Sequence, residues 1–282
     1  MISVVLYLMA ALAFVYVAWG LVLLFMQSKL LYRPMREINF TPADLNLKFE
    51  EVTFQSADGV RLTGWYVPVK NAHHTVLFCH GNGGNVMHVL DSLNLLSELG
   101  LSCFIFDYRG YGKSGGRPTE AGMYLDVQAA YDWLIREKRV RPERIILFGR
   151  SLGGSIAAYL AGRVQCAALI VESAFTSYPD IGARFYPYLP VRLFARFRYD
   201  TLAYIKEAGC PVMVIHSRDD ELVPFEFGTR LFEAAHEPKQ FVEIFGSHND
   251  GFLISGDLYR EAWAKWLDSV RDCRSQTVVK AS

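Results

Sequence analysis

The feature that most constrains the fold of this chain is a repeated alternation of short apolar runs with longer helical patterns. The pairs are Thr75–Cys79 with Val86–Leu99, Ser102–Asp107 with Glu120–Lys138, Ile145–Phe148 with Leu152–Val164, Pro211–His216 with Pro224–Ala235, and Phe241–Phe245 with Gly256–Arg271. Apolar strands without a polar face, separated by helices, are typical of a parallel sheet that is covered on both sides. The sequence therefore predicts an α/β fold with a mostly parallel central sheet and helices on both faces.

A hairpin precedes this alternation. Leu47–Phe54 alternates apolar and polar residues, Ala57-Asp58-Gly59 is a turn pattern, and Arg61–Val69 has the composition of a second strand. We therefore expect an antiparallel pair of strands at the start of the domain.

The first 26 residues differ from the rest of the chain. Between Ile2 and Met26 only Ser3 and Gly20 fall outside the apolar and aromatic set, and no residue is charged. A helix of this run would be roughly 37 Å long, which exceeds the ~30 Å hydrocarbon core of a bilayer. A buried core helix of this length usually has a polar face, and a signal peptide usually has positive residues before a shorter apolar stretch. The run has neither feature, so we predict an uncleaved transmembrane helix that contacts the lipid bilayer through residues 2–26.

Basic residues on one side of this helix indicate its orientation. Lys29, Arg33 and Arg36 follow the apolar run, and the positive-inside rule places them in the cytoplasm. We therefore expect a single-pass membrane protein whose main domain is cytoplasmic. The predicted organisation is an anchor at 1–28, a juxtamembrane linker at 29–46, one α/β domain at 47–272 with a cap insertion at about 173–206, and a C-terminal tail at 273–282.

Composition excludes several classes of protein. The chain is 51% hydrophobic, which excludes a disordered chain, and 29 basic residues balance 29 acidic ones, so we expect no nucleic-acid partner. The cysteine count of five is odd and no two cysteines have zinc-binding spacing, which argues against a metal site and against a full disulfide framework. A reduced, cytoplasmic compartment is the expectation.

A G-x-S-x-G pentapeptide at 149–153 points to a nucleophile. Ser151 follows a predicted strand and begins a predicted helix, so it occupies a sharp strand-to-helix turn. The flanking Gly149 and Gly153 permit a strained turn that leaves the hydroxyl exposed. A serine hydroxyl needs a base to attack a carbonyl, and that base is oriented by a carboxylate.

Candidates for the acid and the base follow the serine along the chain. His248 lies in a loop just past the strand Phe241–Phe245, which is where the base belongs in such a sheet, whereas His216 and His236 have positions more typical of structural histidines. Asp219 and Asp220 both follow the strand Pro211–His216, and we prefer Asp220 because it leads directly into the next helix. The predicted triad is Ser151, Asp220 and His248.

The predicted oxyanion hole lies in a glycine-rich segment, His80-Gly81-Asn82-Gly83-Gly84-Asn85, hereafter the glycine loop. It follows a strand, and its backbone N–H groups can face a developing negative oxygen. The expected donors are the N–H of Asn82 and that of Leu152, the residue after the nucleophile. A phosphate-binding loop would need a G-x-x-x-x-G-K-[ST] or G-x-G-x-x-G pattern, and the segment matches neither.

Together these motifs resemble the α/β-hydrolase superfamily, and within it the membrane-anchored serine hydrolases known as α/β-hydrolase-domain proteins. The resemblance covers about residues 47–272, and a serine-aminopeptidase-type grouping overlaps it. It implies a serine hydrolase, an esterase or thioesterase that needs no cofactor, acting on acyl esters or thioesters that membranes hold, and it agrees with the triad named above. Some animal relatives remove palmitoyl groups from membrane proteins. A peptidase or amidase of the same fold and a catalytically silent anchored interaction protein are the alternatives.

The cap at 173–206 is expected to set specificity. It is rich in aromatic residues, and from Arg184 to Arg198 it has four arginines and no acidic residue. Such a segment can lie at a lipid interface, whereas a plain packed lid is the simpler interpretation.

Overall fold

The computed structural model describes the backbone of residues 2–280 and the side chains of residues 2–270. Its strands are β1 (Arg33–Pro34), β2 (Glu50–Gln55), β3 (Arg61–Val67), β4 (Thr75–Cys79), β5 (Gly83–Gly84), β6 (Ser102–Asp107), β7 (Ile145–Arg150), β8 (Ala168–Glu172), β9 (Val212–Ser217) and β10 (Lys239–Ile244). The helices are α1 (Ile2–Leu31), α2 (Leu90–Glu98), α3 (Glu120–Arg136), α4 (Leu152–Ala161), α5 (Tyr178–Phe185), α6 (Val191–Phe194), α7 (Thr201–Glu207), α8 (Phe225–Ala234), α9 (Gly251–Ile254) and α10 (Gly256–Lys280). Short 3-10 turns cover Pro42–Leu45, Val86–Val89 and Pro142–Arg144.

Eight strands form one sheet in the order β10-β9-β8-β7-β4-β6-β3-β2. The six strands from β10 to β6 pair in parallel, while β3 pairs antiparallel with both β6 and β2. The predicted mostly parallel sheet with an N-terminal hairpin is therefore confirmed. The carboxyl ends of β4, β7, β9 and β10 lie at one edge of the sheet, which is where parallel sheets place their sites.

Helices cover both faces of the sheet, and every residue of the central strands β4, β6 and β7 is buried. All residues of β4 are buried, with Leu77 packed in the core of one face and Phe78 in the core of the other. The same alternation in β7 places Leu147 on the first face and Phe148 on the second, where its ring stacks on Phe78 at a centroid distance of 4.4 Å. This two-sided core holds the strand ends in fixed positions.

The N-terminal helix α1 is long and apolar enough to cross a membrane. Its most apolar 18-residue window has a mean hydropathy of 2.4, and the residues of that window are exposed or only half-buried. Thirty residues make a helix of about 45 Å, so a ~30 Å hydrocarbon core would leave its C-terminal turns outside. The helix is therefore a candidate membrane span.

Two segments differ from the sequence prediction. Residues 33–34, expected to belong to a linker, form strand β1 and pair in parallel with β5 of the glycine loop. The expected helix at 86–99 begins with a 3-10 turn, in which the Asn85 side chain accepts a hydrogen bond from the N–H of Met87. The predicted C-terminal tail at 273–282 falls on residues whose side chains lie outside the described part of the chain.

Candidate active site

Ser151 stands at a strained turn between β7 and α4. Its φ and ψ are 55° and −122°, a left-handed conformation that few non-glycine residues adopt. Such a conformation costs on the order of 1–3 kcal/mol and persists only where the surroundings enforce it. The Ser151 N–H donates to the carbonyl of Glu172, which anchors the turn to the neighbouring strand β8. The hydroxyl is thereby held at the carboxyl end of the sheet.

The glycines of the pentapeptide are required by close backbone approach. A Cβ atom at Gly153 would overlap the carbonyl oxygen of Cys79, because α4 crosses directly over the end of β4. A Cβ atom at Gly149 would overlap the carbonyl of Gly153 in the same turn. Both glycines therefore let the helix begin immediately after the strand, and any larger residue would displace Ser151.

His248 joins the serine to a carboxylate. The Ser151 hydroxyl lies 3.0 Å from His248 Nε2, and His248 Nδ1 lies 2.7 Å from Asp220 Oδ2. Because the carboxylate can only accept, Nδ1 carries the proton and Nε2 is left to accept from the hydroxyl. The structure therefore brings the three predicted residues into one hydrogen-bonded chain, although 97 positions separate Ser151 from His248.

The carboxylate that reaches the histidine belongs to Asp220 and not to Asp219. Asp220 Oδ1 accepts from the N–H groups of Leu222 and Val223 at 2.9 and 2.7 Å, which leaves Oδ2 for His248. Burial opposes ionisation of Asp220, but the hydrogen bond from His248, the charge of that ring and the N–H of Val223 outweigh it and lower the pKa of Asp220. Asp219 is placed elsewhere and accepts from the N–H of Gly246.

The glycine loop lies beside Ser151. A Cβ atom at Gly81 would be 3.6 Å from Ser151 Cβ, so the loop approaches the nucleophile closely. Among residues 2–280 no acceptor takes the N–H of Asn82, and Leu152 is the first residue of α4, where a backbone N–H has no intrahelical acceptor. Both predicted donors are thus available next to Ser151.

The structure ties this loop to the end of α1, which the sequence analysis missed. Asn82 Nδ2 donates to the carbonyl of Leu31 at 2.8 Å, and the Arg33 N–H donates back to the carbonyl of Asn82 at 3.0 Å. The hydroxyl of Tyr111 also donates to that carbonyl at 2.8 Å. Asn85 continues the contact by donating to the carbonyl of Glu37. Residues 31–37 therefore form one wall of the loop that carries an expected oxyanion donor.

A buried ion pair, Arg150 with Glu172, lies next to the turn that holds Ser151, and the sequence did not predict it. Arg150, adjacent to Ser151, donates from Nε to Glu172 at 2.6 Å, and Tyr259 donates to the other oxygen of Glu172. His216 lies beneath the triad and donates from Nε2 to the carbonyl of Val223, and burial lowers its pKa. Acidic and basic residues at strand ends are the only sequence signal for this network, and they do not identify its pairs.

The described residues enclose two cavities of note, of which one contains a site residue in its lining. An apolar cleft of about 260 Å³ lies between α1 and the cap, and a more polar cavity of about 490 Å³ lies beside Asp220 between Arg184 and Arg218. In the part of the chain with described side chains, no three metal-ligating residues are close enough to hold a metal ion. The site as described consists of a serine, its hydrogen-bonded histidine and carboxylate, and two free backbone N–H groups.

Several known proteins are similar to this chain in sequence and in fold. Residues 74–200 match the family described as alpha/beta hydrolase fold. An uncharacterized protein of Mycobacterium tuberculosis is 40% identical over 77% of this chain and 78% of its own length. The alpha/beta hydrolase domain-containing protein WAV2 of Arabidopsis thaliana is 34% identical over 86% of this chain and 87% of its own length. Esterase Pf2001 of Pyrococcus furiosus is similar in structure, with a TM-score of 0.69, 25% identity, and coverage of 84% of this chain and 98% of that one. Relatives this similar over most of their length share a fold and a superfamily, and the chain therefore belongs to the α/β-hydrolase family of hydrolases.

Proposed function

We propose that this protein is a membrane-anchored serine hydrolase that cleaves acyl esters or thioesters through an acyl-enzyme intermediate. The observation that carries the proposal is the hydrogen-bonded chain from Ser151 through His248 to Asp220, with bonds of 3.0 and 2.7 Å. A serine at a strained, glycine-flanked turn that faces a neutral histidine nitrogen is arranged for proton transfer as it attacks a carbonyl. The likeness to an esterase supports the same class of reaction.

The proposed first half-reaction acylates the enzyme. Ser151 Oγ forms a bond to the acyl carbon while its proton moves to His248 Nε2. The negative oxygen of the tetrahedral intermediate accepts from the N–H groups of Asn82 and Leu152, and the N-terminal end of α4 adds a favourable partial charge. The bond from the acyl carbon to the leaving oxygen or sulfur then breaks, and the leaving group takes the proton from His248.

The second half-reaction releases the acid. Water gives a proton to His248 as its oxygen attacks the acyl carbon, and the same N–H groups hold the new intermediate. The bond to Ser151 Oγ breaks, the proton returns to the serine, and the carboxylic acid leaves. Asp220 stays ionised throughout and keeps the histidine in the required tautomer.

Anchoring completes the proposal. Helix α1 would hold the enzyme as a single-pass protein at the bilayer, and Lys29, Arg33 and Arg36 favour a cytoplasmic position for the hydrolase domain. The cap presents exposed apolar side chains at Tyr188 and Leu193, with exposures of 87% and 79%, next to that helix. This placement favours substrates whose acyl groups are held in the membrane over soluble, polar ones.

The direct test is Ser151→Ala in the full-length protein in detergent. We expect hydrolysis of p-nitrophenyl butyrate to fall by about 10⁴-fold or more, with loss of labelling by a fluorophosphonate. The matched control is Ser155→Ala, one turn further along α4, where the buried hydroxyl has no hydrogen-bond partner within the described residues. Activity of Ser151→Ala within tenfold of the wild type would contradict the proposal. Amides cleaved faster than matched esters and thioesters would favour a peptidase instead.

A further inference from the structure

The cap packs along one face of α1 and leaves an apolar cleft between them. On the α1 side the lining extends from Tyr16 to Leu30, and on the cap side it extends from Tyr178 to Ala195. The contact is specific, since the ring of Trp19 meets that of Tyr186 edge to face at a centroid distance of 6.0 Å. The cleft is therefore a feature of the fold, with one wall supplied by the candidate membrane span.

The lining selects an apolar occupant. Its polar groups on α1 are already bonded to the cap: the Tyr16 hydroxyl donates to the carbonyl of Tyr188 at 2.6 Å, and Gln27 Nε2 donates to the carbonyl of Phe194 at 3.0 Å. Gln27 Oε1 accepts from the N–H of Arg196 at 2.8 Å. No charged side chain lines the cleft within the described residues. A hydrocarbon chain can fill such a space, whereas a headgroup would lose its hydrogen bonds to water.

The cleft extends along α1 toward the glycine loop. From Tyr16 to Leu30 it follows α1 for about 21 Å, so it begins inside the predicted span at residues 2–26 and continues past the end of that span. Its other end, at Leu30, is one residue from the Leu31 carbonyl that Asn82 holds. The glycine loop that contains Asn82 also contacts Ser151. A long acyl chain in the cleft would thus have its carboxyl end on the side of the catalytic serine.

We propose that this cleft is the acyl-chain binding site, so that the membrane helix itself forms part of the substrate pocket and selects long fatty-acyl esters or thioesters. The inference rests on the proposed serine-hydrolase function and deepens it. A long-chain substrate would slide along α1 from the bilayer, whereas an acetyl group would contact only the catalytic residues. The enzyme would then discriminate chain length through residues of its own anchor.

The test uses the full-length protein in phosphatidylcholine nanodiscs with p-nitrophenyl acetate, octanoate and palmitate. Gly20 lies in the lining, and a Cβ atom there would be 3.9 Å from Leu189, so Gly20→Leu fills the cleft without an initial overlap. We expect its kcat/KM on palmitate to fall at least tenfold and its kcat/KM on acetate to stay within twofold of wild type. The matched control, Ala13→Leu, adds a similar side chain to an α1 position outside the lining and should change neither value.

The outcomes separate this proposal from the one on which it rests. No Ser151-dependent hydrolysis of acetate would overturn the proposed function itself. Normal acetate hydrolysis with equal palmitate activity in wild type and Gly20→Leu would overturn the acyl-chain site alone. A fluorophosphonate with a long alkyl chain and a terminal photoreactive group gives a second measurement after it labels Ser151. Crosslinks to residues 16–30 and 178–195 support the proposal, and crosslinks confined to the polar cavity beside Asp220 overturn it.

Discussion

The side-chain amide of Asn82 donates a hydrogen bond to the backbone carbonyl of Leu31 over 2.8 Å, and so joins the expected oxyanion hole to the last residue of α1. The contact is reinforced by the parallel pairing of β1 with β5, which directly follows it along both segments. The juxtamembrane segment is therefore a structural component of the site. The segment that positions the glycine loop directly follows the proposed membrane anchor.

Two truncations separate these roles. A variant that begins at Lys29 loses most of α1 but keeps Leu31 and β1, so we expect it to be soluble and to hydrolyse p-nitrophenyl acetate at near the wild-type rate. A variant that begins at Ile38 also loses the partners of the glycine loop. Because loss of one oxyanion donor costs about 10²–10³ in kcat, we expect a fall of at least tenfold in the shorter variant. Steady-state kinetics, with circular dichroism to verify folding, provide the measurement.

Point variants in the full chain control for the size of the truncation. Asn82→Ala removes the side-chain bond to Leu31 but retains the backbone N–H, and it should lower kcat more than it raises KM. Asn94→Ala removes a comparable amide that donates to Glu98 one turn along the exposed face of α2, and it should have no effect. Equal activity in the two truncations would show that the juxtamembrane strand has no part in positioning the site.

The adjacent aspartates provide a matched pair of variants. Asp220→Asn removes the carboxylate that orients His248, and by analogy with other triads we expect kcat to fall by up to about 10⁴-fold. Asp219→Asn keeps an oxygen that can accept from the N–H of Gly246, so its kcat should stay within threefold of wild type. Hydrolysis of p-nitrophenyl butyrate by the two purified variants measures this difference. A larger loss in Asp219→Asn would mean that the wrong carboxylate has been assigned.

His80, the first residue of the glycine loop, forms a buried pair with Asp107 that gives a prediction about how stability depends on pH. His80 Nε2 lies 3.7 Å from Asp107 Oδ1. Burial lowers the pKa of His80 to about 4, and burial likewise raises the pKa of Asp107 to about 7. At pH 5 the folded pair holds its one proton on Asp107, while the unfolded chain, with pKa values of about 6.5 and 3.9, holds it on His80. The number of bound protons is equal, so the pair adds no pH dependence to wild-type stability between about pH 4 and 6.5.

Replacing either His80 or Asp107 should make the free energy of unfolding depend on pH, with slopes of opposite sign in the two variants. In His80→Gln the folded state keeps a proton on Asp107 that the unfolded state has lost, so the free energy of unfolding should fall as pH rises from about 4 to 7. In Asp107→Asn the unfolded state binds a proton on His80 that the folded state does not, so stability should fall as pH drops from about 6.5 to 4. Each slope approaches about 1.4 kcal/mol per pH unit. Urea unfolding at pH 4.5, 5.5 and 6.5 measures both, and slopes of the same sign would refute the assignment.

The arginines of the cap should bind anionic lipid. Arg196 and Arg198 are exposed, and each should attract an anionic surface by about 1 kcal/mol at low salt. Arg192 pairs with Asp180 at 3.0 Å, so we expect a smaller contribution from it. Replacing all three with Gln in the variant that begins at Lys29 should reduce sedimentation with anionic vesicles and leave hydrolysis of p-nitrophenyl acetate unchanged.

The control for this experiment is an equal change of charge outside the cap. Replacing Arg136, Arg230 and Arg260 with Gln removes three positive charges from α3, α8 and α10. Vesicle binding should stay near that of the variant that begins at Lys29. The comparison is made at low salt, where surface charge is least screened. Equal sedimentation of both triple variants would show that the cap is a packed lid without a lipid-binding role.

The sequence by itself determined the parts of this protein that depend on neighbouring residues. Strand β4 was predicted at its observed bounds because Val76–Cys79 is an unbroken apolar run, which is typical of a strand buried on both faces. Ser151 was predicted as the nucleophile because the two glycines that a sharp strand-to-helix turn requires lie in the same pentapeptide. The length and lack of charge of the apolar run at residues 2–26 were likewise visible without any other part of the chain.

Only the tertiary structure decided which distant groups meet. The choice of Asp220 over Asp219 depends on which of two adjacent carboxylates the turn directs toward His248, and adjacency alone cannot determine a direction. The bond between Asn82 and Leu31 spans 51 positions, and the contact of Tyr16 with Tyr188 spans 172. Such contacts depend on the order and register of strands and on the path of the cap, which arise from packing of the whole chain. For this reason the sequence indicated an anchor and a cap separately, whereas the fold placed a cleft between them.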